Sequence, residues 1–254
     1  MLLAVDVGNT NIMMGVFQDK DLTDTWRVST DPSKTADELG VLFKQLFEYK
    51  GISFSDISAV AISSVVPPIM QALDQMCREY IGVAPFVVGH GSRIDLAIEF
   101  DNPKEIGADR IVNAVGAIDK YGSPAVVVDF GTATTFDAIS DEGHYLGGAI
   151  APGVGISLEA LFQKAAKLPR IEMVKPEGVI GKSTVTCMQS GIVFGFVGQV
   201  DGIVQRIKRE LGPNTVTVAT GGLAPFIAGY CETIDHIDPY LTLNGLQIIY
   251  RKNQ

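Results

Sequence analysis

The chain contains the same short pattern twice, and this repeat restricts the fold more than any other feature of the sequence. The first copy, Leu2 to Phe17, reads LLAVDVGNTNIMMGVF, and the second, Ala125 to Ile139, reads AVVVDFGTATTFDAI. In each copy an apolar strand reaches an aspartate, Asp6 or Asp129, and then turns through a glycine into small polar residues. Internal self-similarity of this kind predicts two related half-domains, with a boundary near residues 120–124.

The residues of the repeat indicate a ligand site. An alignment without gaps matches four pairs of residues: Asp6 with Asp129, Gly8 with Gly131, Asn9 with Thr132, and Asn11 with Thr134. A carboxylate at the end of a buried strand is costly unless it meets a cation, a donor or a ligand. Glycine lets backbone amides approach a ligand, and short polar side chains line phosphate-binding turns. An ordinary Asx turn explains one copy, but two copies favour a pair of hairpins that face one another and hold a polyphosphate with its metal ion.

Composition excludes several classes of protein. The 254 residues are 46% hydrophobic and 19% charged, which is ordinary for a globular protein. The net charge of -9 argues against a nucleic-acid partner and suits a soluble cytoplasmic protein. We expect no secretory signal and no stretch that is long and apolar enough to span a membrane. The spacing of the cysteines and histidines indicates neither a metal site nor a disulfide, so we expect reduced core thiols at Cys77, Cys187 and Cys231, and surface or core histidines at His90, His144 and His236.

Strands and helices alternate along the chain, which predicts an α/β protein with mixed sheets flanked by helices. Residues 2–29 predict an antiparallel meander of three strands. A capping box from Thr35 to Glu38 predicts a helix over residues 36–49. Further predicted strands lie at 57–63, 86–88, 125–139 in two parts, 145–150 and 215–219, and further helices at 67–76, 111–121, 155–166, 185–210 and 239–252. We therefore expect two half-domains, residues 1–120 and 121–254.

Three other segments carry polar or glycine-rich patterns. Asp109 precedes the helix at 111–121, and the pattern alone favours a capping aspartate with a solvated Arg110 beside it. The run Gly181-Lys-Ser-Thr184 resembles a phosphate-binding loop but lacks the required earlier glycine and buried strand, so a substrate-facing loop and a helix cap from Ser183 or Thr184 both stay open. The turn Thr220-Gly-Gly222 is flat enough to pack against a nucleoside, although a plain strand-to-helix turn explains it equally well.

The helix predicted at 185–210 contains an unusual number of glycines. They recur at near-helical spacing, at Gly191, Gly195, Gly198 and Gly202. Each costs roughly 1 kcal/mol of helix stability relative to alanine. Close approach of another backbone would offset this cost, either within the chain or across a homodimer.

Taken together, these motifs resemble the type III pantothenate kinases of the actin-like superfamily. The resemblance covers nearly the whole chain and rests on six motifs in this order: Asp6-Val-Gly-Asn-Thr-Asn11, Gly107-Ala-Asp-Arg110, Asp129-Phe-Gly-Thr-Ala-Thr-Thr135, Gly147-Gly-Ala-Ile-Ala-Pro-Gly153, Gly181-Lys-Ser-Thr184 and Thr220-Gly-Gly222. It implies two ribonuclease H-like halves with ATP in the cleft between them, a homodimer, and phosphorylation of pantothenate as the first step of coenzyme A synthesis.

The resemblance also implies a set of site residues. The first phosphate loop would comprise Asp6, Val7, Gly8, Asn9, Thr10, Asn11, Ile12 and Met13, with Asp6 near magnesium, either in direct contact or through water. Thr132 would contact ATP, and Asp129 would help to bind a monovalent cation, potassium or ammonium; Gly221 and Gly222 would lie against the nucleoside. Pantothenate would be held by Phe100, Gly107, Ala108, Asp109, Arg110 and Thr184, with Asp109 as the proton acceptor. The family often has tyrosine where this chain has Phe100. Phenylalanine lacks the tyrosine hydroxyl, so one possible hydrogen bond to the substrate is absent.

Two other functions are compatible with this fold. A sugar kinase or an exopolyphosphatase would keep the fold and change the acceptor, but such enzymes usually carry a larger insertion. A non-catalytic accessory factor of transcription would need neither the two phosphate hairpins nor Asp109, and its direct contact with DNA would conflict with the net charge of -9.

Overall fold

The computed structural model describes residues 1–89 and 91–254, so His90 lies outside the described residues. The chain forms two compact units. The first comprises Met1–Leu96, Asp101–Asp119 and Tyr240–Gln254, and the second comprises Ala97–Phe100 and Lys120–Pro239. The expected division into domains at residue 120 stays a prediction. Relative to that division, residues 97–100 group with the second unit and residues 240–254 group with the first.

The first unit contains a five-stranded mixed sheet with the strand order β3-β2-β1-β4-β5. Its strands are β1 Leu2–Val7, β2 Asn11–Gln18, β3 Asp21–Ser29, β4 Ala59–Ser64 and β5 Phe86–Val87. The first three strands are antiparallel, whereas β4 runs parallel to β1 and β5 runs parallel to β4. The predicted meander and the predicted change to parallel pairing are both confirmed.

Helices cover this sheet. They are α1 Ala36–Glu48, α2 Pro67–Met76, α3 Ala108–Tyr121 and α7 Leu241–Lys252. The capping box predicted for α1 is present, with Thr35 and Glu38 each accepting a backbone hydrogen bond from the other. Helix α7 packs tightly on α3, because a side chain on Gly245 would collide with the backbone of Val112. This packing explains why the C-terminal segment groups with the first unit.

Alternation along β1 decides which way Asp6 points. Leu3, Val5 and Val7 are buried in one apolar core with residues of α1 and α2. Since successive side chains of a strand point to opposite faces, Asp6 lies on the other face. Helix α7 packs near β1, β2 and β4.

The second unit repeats this arrangement in a sheet with the order β10-β9-β6-β7-β8. Its elements are β6 Ala125–Phe130, β7 Ala133–Ile139, β8 Tyr145–Pro152, α4 Val154–Lys164, α5 Thr184–Leu211, β9 Val216–Thr220, α6 Ala224–Ile227 and β10 His236–Ile237. Strands β6, β7 and β8 are antiparallel, and β9 runs parallel to β6 as β4 does to β1. The predicted internal repeat and mixed sheets are therefore confirmed.

Helix α5 differs from its prediction in one respect. Among the described residues it is the single helix long and apolar enough to cross a membrane, with a mean hydropathy of 1.3 over 18 residues, so the expectation that no stretch meets this criterion is wrong. A core helix passes the same test. One side of α5 lies in the core of the second unit through Ile192, Phe196, Val200 and Val204, and 39% of the apolar window is buried.

The three cysteines are free, but they are not all core thiols. Cys77 is buried and Cys231 is half-buried, whereas Cys187 is exposed at the start of α5. The prediction is therefore wrong for Cys187. Of the two described histidines, His144 lies 2.6 Å from Glu99, and His236 stacks on a tyrosine ring.

Candidate active site

The first hairpin ends in a short loop held in place on both sides. The backbone amide of Gly8 donates to the carbonyl of Asn11 at 3.0 Å, which leaves Asn9 and Thr10 at the tip. Thr30, just after β3, donates through its hydroxyl to the Gly8 carbonyl at 2.6 Å and through its amide to the Thr10 carbonyl at 3.0 Å. The side chains of Asn9, Thr10 and Asn11 are exposed. Thr30 was missed by the sequence analysis, because its role depends on strand pairing.

Not every residue of the predicted phosphate loop can offer its side chain. Val7 and Ile12 are 0% and 1% exposed, since both lie in the core of the first unit. They can therefore contribute backbone groups only. Asp6 and Met13 are half-buried, so their side chains are partly accessible.

Beside Asp6 lies a buried hydroxyl that the sequence analysis also missed. Ser63 of β4 is the parallel partner of Asp6 in β1, and paired residues of neighbouring strands present their side chains to the same face. Ser63 is 0% exposed, and its hydroxyl has no hydrogen-bond partner among the described residues. A polar atom of this kind fits a site that a hydrated ligand completes.

Carboxylates, histidines and cysteines do not cluster in the part of the chain that the structure describes: no group of three or more could hold a metal ion. A site without such a cluster still suits Mg²⁺. In proteins this ion usually binds one or two carboxylates, keeps several waters and takes the rest of its ligands from substrate phosphates. The half-buried Asp6 with the neighbouring Ser63 hydroxyl fits this requirement.

The second hairpin has a shorter loop than the first. In the first, Gly8 bonds to Asn11, and in the second the Gly131 amide donates to the carbonyl of Ala133 at 3.0 Å. Ala133 therefore occupies the position of Asn11, and the alignment of Thr134 with Asn11 is wrong by one residue. Thr134 is fully buried, as Ile12 is at the matching position of β2.

Glycines bring two backbone segments close to this loop. Gly153, at the start of α4, donates to the Thr132 carbonyl at 3.1 Å, and any side chain on it would collide with that carbonyl. Gly221, which follows β9, has a φ of +92°, and a side chain there would collide with the Asp129 carboxylate. The structure thus brings together Asp129, Thr132 and Gly221 as a compact group in the second unit.

Asp109 lies in the first turn of α3, not at its cap. The helix begins at Ala108, and one carboxylate oxygen of Asp109 accepts from the Arg110 amide at 2.9 Å. Arg110 is only 9% exposed, so the interpretation of a capping aspartate with a solvated arginine is wrong on both counts. Burial raises the pKa of Asp109, while the Arg110 amide and charge partly oppose this rise.

Gly107 leaves the space that the Asp109 carboxylate occupies. A side chain on Gly107 would collide with that carboxylate, and its Cβ would also lie 3.6 Å from Val65, which follows β4. The start of α3 therefore lies next to the end of β4, where Ser63 is located.

Phe100 packs on a rigid part of the second unit. Its ring lies 6.4 Å from that of Tyr145, and a Cβ on Gly147 would be 3.1 Å from it. The Tyr145 hydroxyl donates to Asp137 at 2.8 Å, and both of these side chains are fully buried. The aromatic ring of Phe100 is half-buried and can still contact a ligand.

At the start of α5 the structure distinguishes between Ser183 and Thr184. Ser183 is the cap residue, and it forms a capping box with Thr186. A side chain on Gly181 would collide with the backbone of the first turn, which holds the preceding loop close. Thr184 is exposed and is free of a capping role, so a substrate contact is open to it.

The chain is similar to known proteins in sequence and in fold. Residues 2–206 match the family model described as type III pantothenate kinase. The type III pantothenate kinases of Moorella thermoacetica and Bacillus cytotoxicus are each 54% identical over 253 residues; the match covers all of this chain and 100% and 97% of those proteins. The ROK hexokinase structure from Thermus thermophilus shares the fold, with a TM-score of 0.51 at 15% identity over 99% of this chain and 98% of that one. The last likeness concerns the fold alone.

Proposed function

The chain belongs to the type III pantothenate kinase family, and we propose that it phosphorylates pantothenate with ATP, using Asp109 as the proton acceptor. This reaction is the first step of coenzyme A synthesis. The full-length likeness to two pantothenate kinases carries the assignment of the reaction. The environment of Asp109 supports the assignment of the base.

A general base must accept the proton of the attacking alcohol and is most effective when its pKa approaches the working pH. Burial raises the pKa of Asp109 above that of an ordinary aspartate, which moves it in the useful direction. The amide and the positive charge of the neighbouring Arg110 partly oppose this rise, because both favour the ionised carboxylate. The hydroxyl of pantothenate would have to lie within about 2.6–3.2 Å of this carboxylate.

For ATP, we assign the phosphates to the turn from Asp6 to Met13. Phosphoryl transfer depends mainly on positioning and on spreading charge over donors and metal. The Asn9 and Thr10 side chains are exposed at a turn that Thr30 holds in place. When bound, Mg²⁺ supplies neutralisation of the phosphate charge, and Asp6 would hold it, directly or through water. Thr132 and the Gly221–Gly222 turn would also contact the nucleotide.

The group around Asp129 supports a monovalent cation site. Its carboxylate lies where a Gly221 side chain would be, close to the backbone of a second glycine turn. Carboxylate and carbonyl oxygens are suitable ligands for potassium, and ammonium can donate to the same oxygens. We therefore propose that Asp129 helps to bind potassium or ammonium.

Pantothenate would be bound by Phe100, the segment from Gly107 to Arg110, and Thr184. The positive charge of Arg110 would attract the substrate carboxylate or the transferred phosphoryl group. The Phe100 ring packs against the Tyr145 ring and offers an aromatic face to the substrate. It lacks the hydroxyl of the tyrosine that the family often has at this position.

The glycines of α5 support a homodimer. Nothing among the described residues lies within 4 Å of a Cβ placed on Gly191, Gly195 or Gly198, so backbone contacts within the chain do not explain these three. We propose that a second copy packs on this smooth face and that the enzyme works in the cytoplasm. Light scattering tests the dimer, and a monomer at micromolar concentration would contradict it.

The reaction is tested by ATP consumption with pantothenate, hexoses and polyphosphate as acceptors, each with and without potassium. We expect turnover with pantothenate as the acceptor, and none with hexoses or polyphosphate. Consumption with a hexose or polyphosphate would indicate another kinase or a phosphatase of this fold, and no consumption with any acceptor would favour a non-catalytic accessory factor. The role of Asp109 is tested by Asp109→Asn, which should lower kcat about 10²- to 10⁴-fold and leave ATP binding intact.

A further inference from the structure

We propose that Ser63 is a positioning residue for the magnesium–ATP site: its hydroxyl hydrogen-bonds a water of the hydrated cation that Asp6 binds. The inference rests on the proposed role of Asp6 in ATP binding. Ser63 contacts neither the transferred phosphoryl group nor pantothenate in this assignment. It acts through the water and thereby fixes where the cation and the Asp6 carboxylate lie.

The Ser63 hydroxyl is a buried polar group without a hydrogen-bond partner among the described residues. Ser63 is 0% exposed. Leaving a buried polar atom unsatisfied costs free energy, which a folded protein normally avoids. A bound water that arrives with the ligand would remove this cost.

Ser63 also lies in a suitable position relative to Asp6. Ser63 is paired in parallel register with Asp6, at the strand spacing of about 4.8 Å, and the two side chains share a face of the sheet. The Ser63 hydroxyl makes no direct hydrogen bond to the Asp6 carboxylate, and one water can bridge two polar groups at this kind of spacing. Each residue lies one position before the end of its strand, since β1 ends at Val7 and β4 ends at Ser64. In this assignment the ligand-binding turns begin at these strand ends.

A serine hydroxyl and the waters of a hydrated Mg²⁺ are also chemically matched. A serine hydroxyl donates one hydrogen bond and accepts two, so it can accept a hydrogen bond from a metal-bound water. Mg²⁺ gives up its waters reluctantly and usually keeps several of them in a protein site. Hydrogen bonds that orient such ligands affect metal affinity strongly.

Two other buried hydroxyls show that burial alone does not lead to this assignment. Thr134 and Thr217 also have fully buried side chains without hydrogen-bond partners among the described residues. Their sheet partners are apolar, however: Phe130 for Thr134 and Val126 for Thr217. Neither is paired in its sheet with a carboxylate. The Thr217 amide donates to the Asp235 carboxylate at 2.8 Å, but through a backbone group that Thr217→Ala keeps, so Thr217 provides a matched control for the hydroxyl.

The experiment uses Ser63→Ala, with Thr217→Ala as the control and Asp6→Asn as the reference. Binding of a non-hydrolysable ATP analogue is measured by calorimetry at several Mg²⁺ concentrations, and the Tm of the free protein is measured in parallel. For Ser63→Ala we expect Mg²⁺-dependent binding to weaken about three- to tenfold, as for the loss of one hydrogen bond. The Tm of the free protein should stay equal or rise, because no hydrogen bond within the protein is lost. Ser63→Cys, which fills nearly the same volume, should weaken binding in the same way.

Unchanged Mg²⁺-dependent binding in Ser63→Ala, alongside weakened binding in Asp6→Asn, would overturn this inference and leave the proposed role of Asp6 intact. Unchanged binding in Asp6→Asn would overturn that role instead. A fall in the Tm of free Ser63→Ala, with ATP binding unaffected, would show a purely structural hydroxyl. Equal weakening in Thr217→Ala would also contradict the assignment, since that residue has no carboxylate neighbour in its register pair.

Discussion

The carboxylate of Asp109 occupies the space that a side chain on Gly107 would need. The two residues lie at the start of α3, next to the end of β4. The glycine is therefore a condition for the position of the proposed base. Without it the carboxylate has to move.

We predict that Gly107→Ala lowers kcat about 10- to 100-fold, because a displacement near 1 Å at a reacting group can cost about that factor. Steady-state kinetics with pantothenate and ATP measure the effect. Gly229→Ala is a suitable control, since a Cβ there would meet nothing within 4 Å. Equal kinetics for Gly107→Ala and the control would show that Asp109 does not need its present position.

The raised pKa of Asp109 leads to a prediction about stability. A folded-state pKa above the unfolded value means that protonation favours folding; this contribution is complete below the unfolded pKa and is lost as the pH rises through the folded pKa. At a pH above both pKa values, the ionised carboxylate therefore makes the fold less stable than the protonated carboxyl group does. Asp109→Asn should raise the Tm at pH 7, and the difference should shrink as the pH falls toward the ordinary value of about 3.9.

The same pKa shift affects activity. The wild-type kcat should fall at low pH as Asp109 becomes protonated, with a midpoint above that of an ordinary aspartate. Asp95 provides the control for the thermal measurements, because its pKa is lowered by Lys252 and its replacement by asparagine should not raise the Tm at pH 7. A lower Tm for Asp109→Asn at pH 7 would contradict the prediction.

Gly221 should be intolerant of substitution for two reasons. Its φ is +92°, and a side chain would collide with the Asp129 carboxylate and the Phe130 backbone. Gly221→Ala should destabilise the protein by about 1–3 kcal/mol and reduce activation by potassium. Gly212→Ala separates the two causes, because Gly212 also has a positive φ, +105°, but a Cβ there would meet nothing within 4 Å. Potassium activation that survives in Gly221→Ala would weaken the assignment of Asp129 to the cation.

Ser183 and Thr184 are neighbours with different expected roles. Ser183→Ala removes a helix cap and should lower stability by about 0.5–2 kcal/mol. Thr184→Ala changes an exposed side chain, so stability should change by less than about 0.5 kcal/mol, while the KM for pantothenate should rise about three- to tenfold. Thermal denaturation and steady-state kinetics on both variants measure this pair of effects, and the reverse pattern would exchange the two roles.

The cysteines should differ in reactivity. Burial raises the pKa of Cys77 and of Cys231 to about 12, whereas Cys187 is exposed. At pH 8 a thiol reagent should therefore modify Cys187 first and the other two only on unfolding, because the thiolate is the reactive form. Mass spectrometry of partly labelled native protein identifies the site. Early labelling of Cys77 would show that its core opens readily.

Much of the fold and part of the site could be predicted from local patterns. The apolar run from Leu2 to Val7 predicted a buried strand interrupted by one carboxylate, and β1 is buried along its length except at the half-buried Asp6. The Thr35–Glu38 capping box set the start of α1, because a helix cap involves residues only three apart. The repeated Asp-x-Gly turn showed that this arrangement occurs twice.

The rest depended on contacts between segments distant in the sequence. The pairing of Ser63 with Asp6 follows from the register of β1 with β4, which no local periodicity determines. The loop at Gly131 is one residue shorter than that at Gly8, which an alignment without gaps could not show. The sequence by itself therefore determined the strand, helix and turn types and the family resemblance. Only the tertiary structure decided which side chains are buried beside which, because burial and register arise from packing across the sheet.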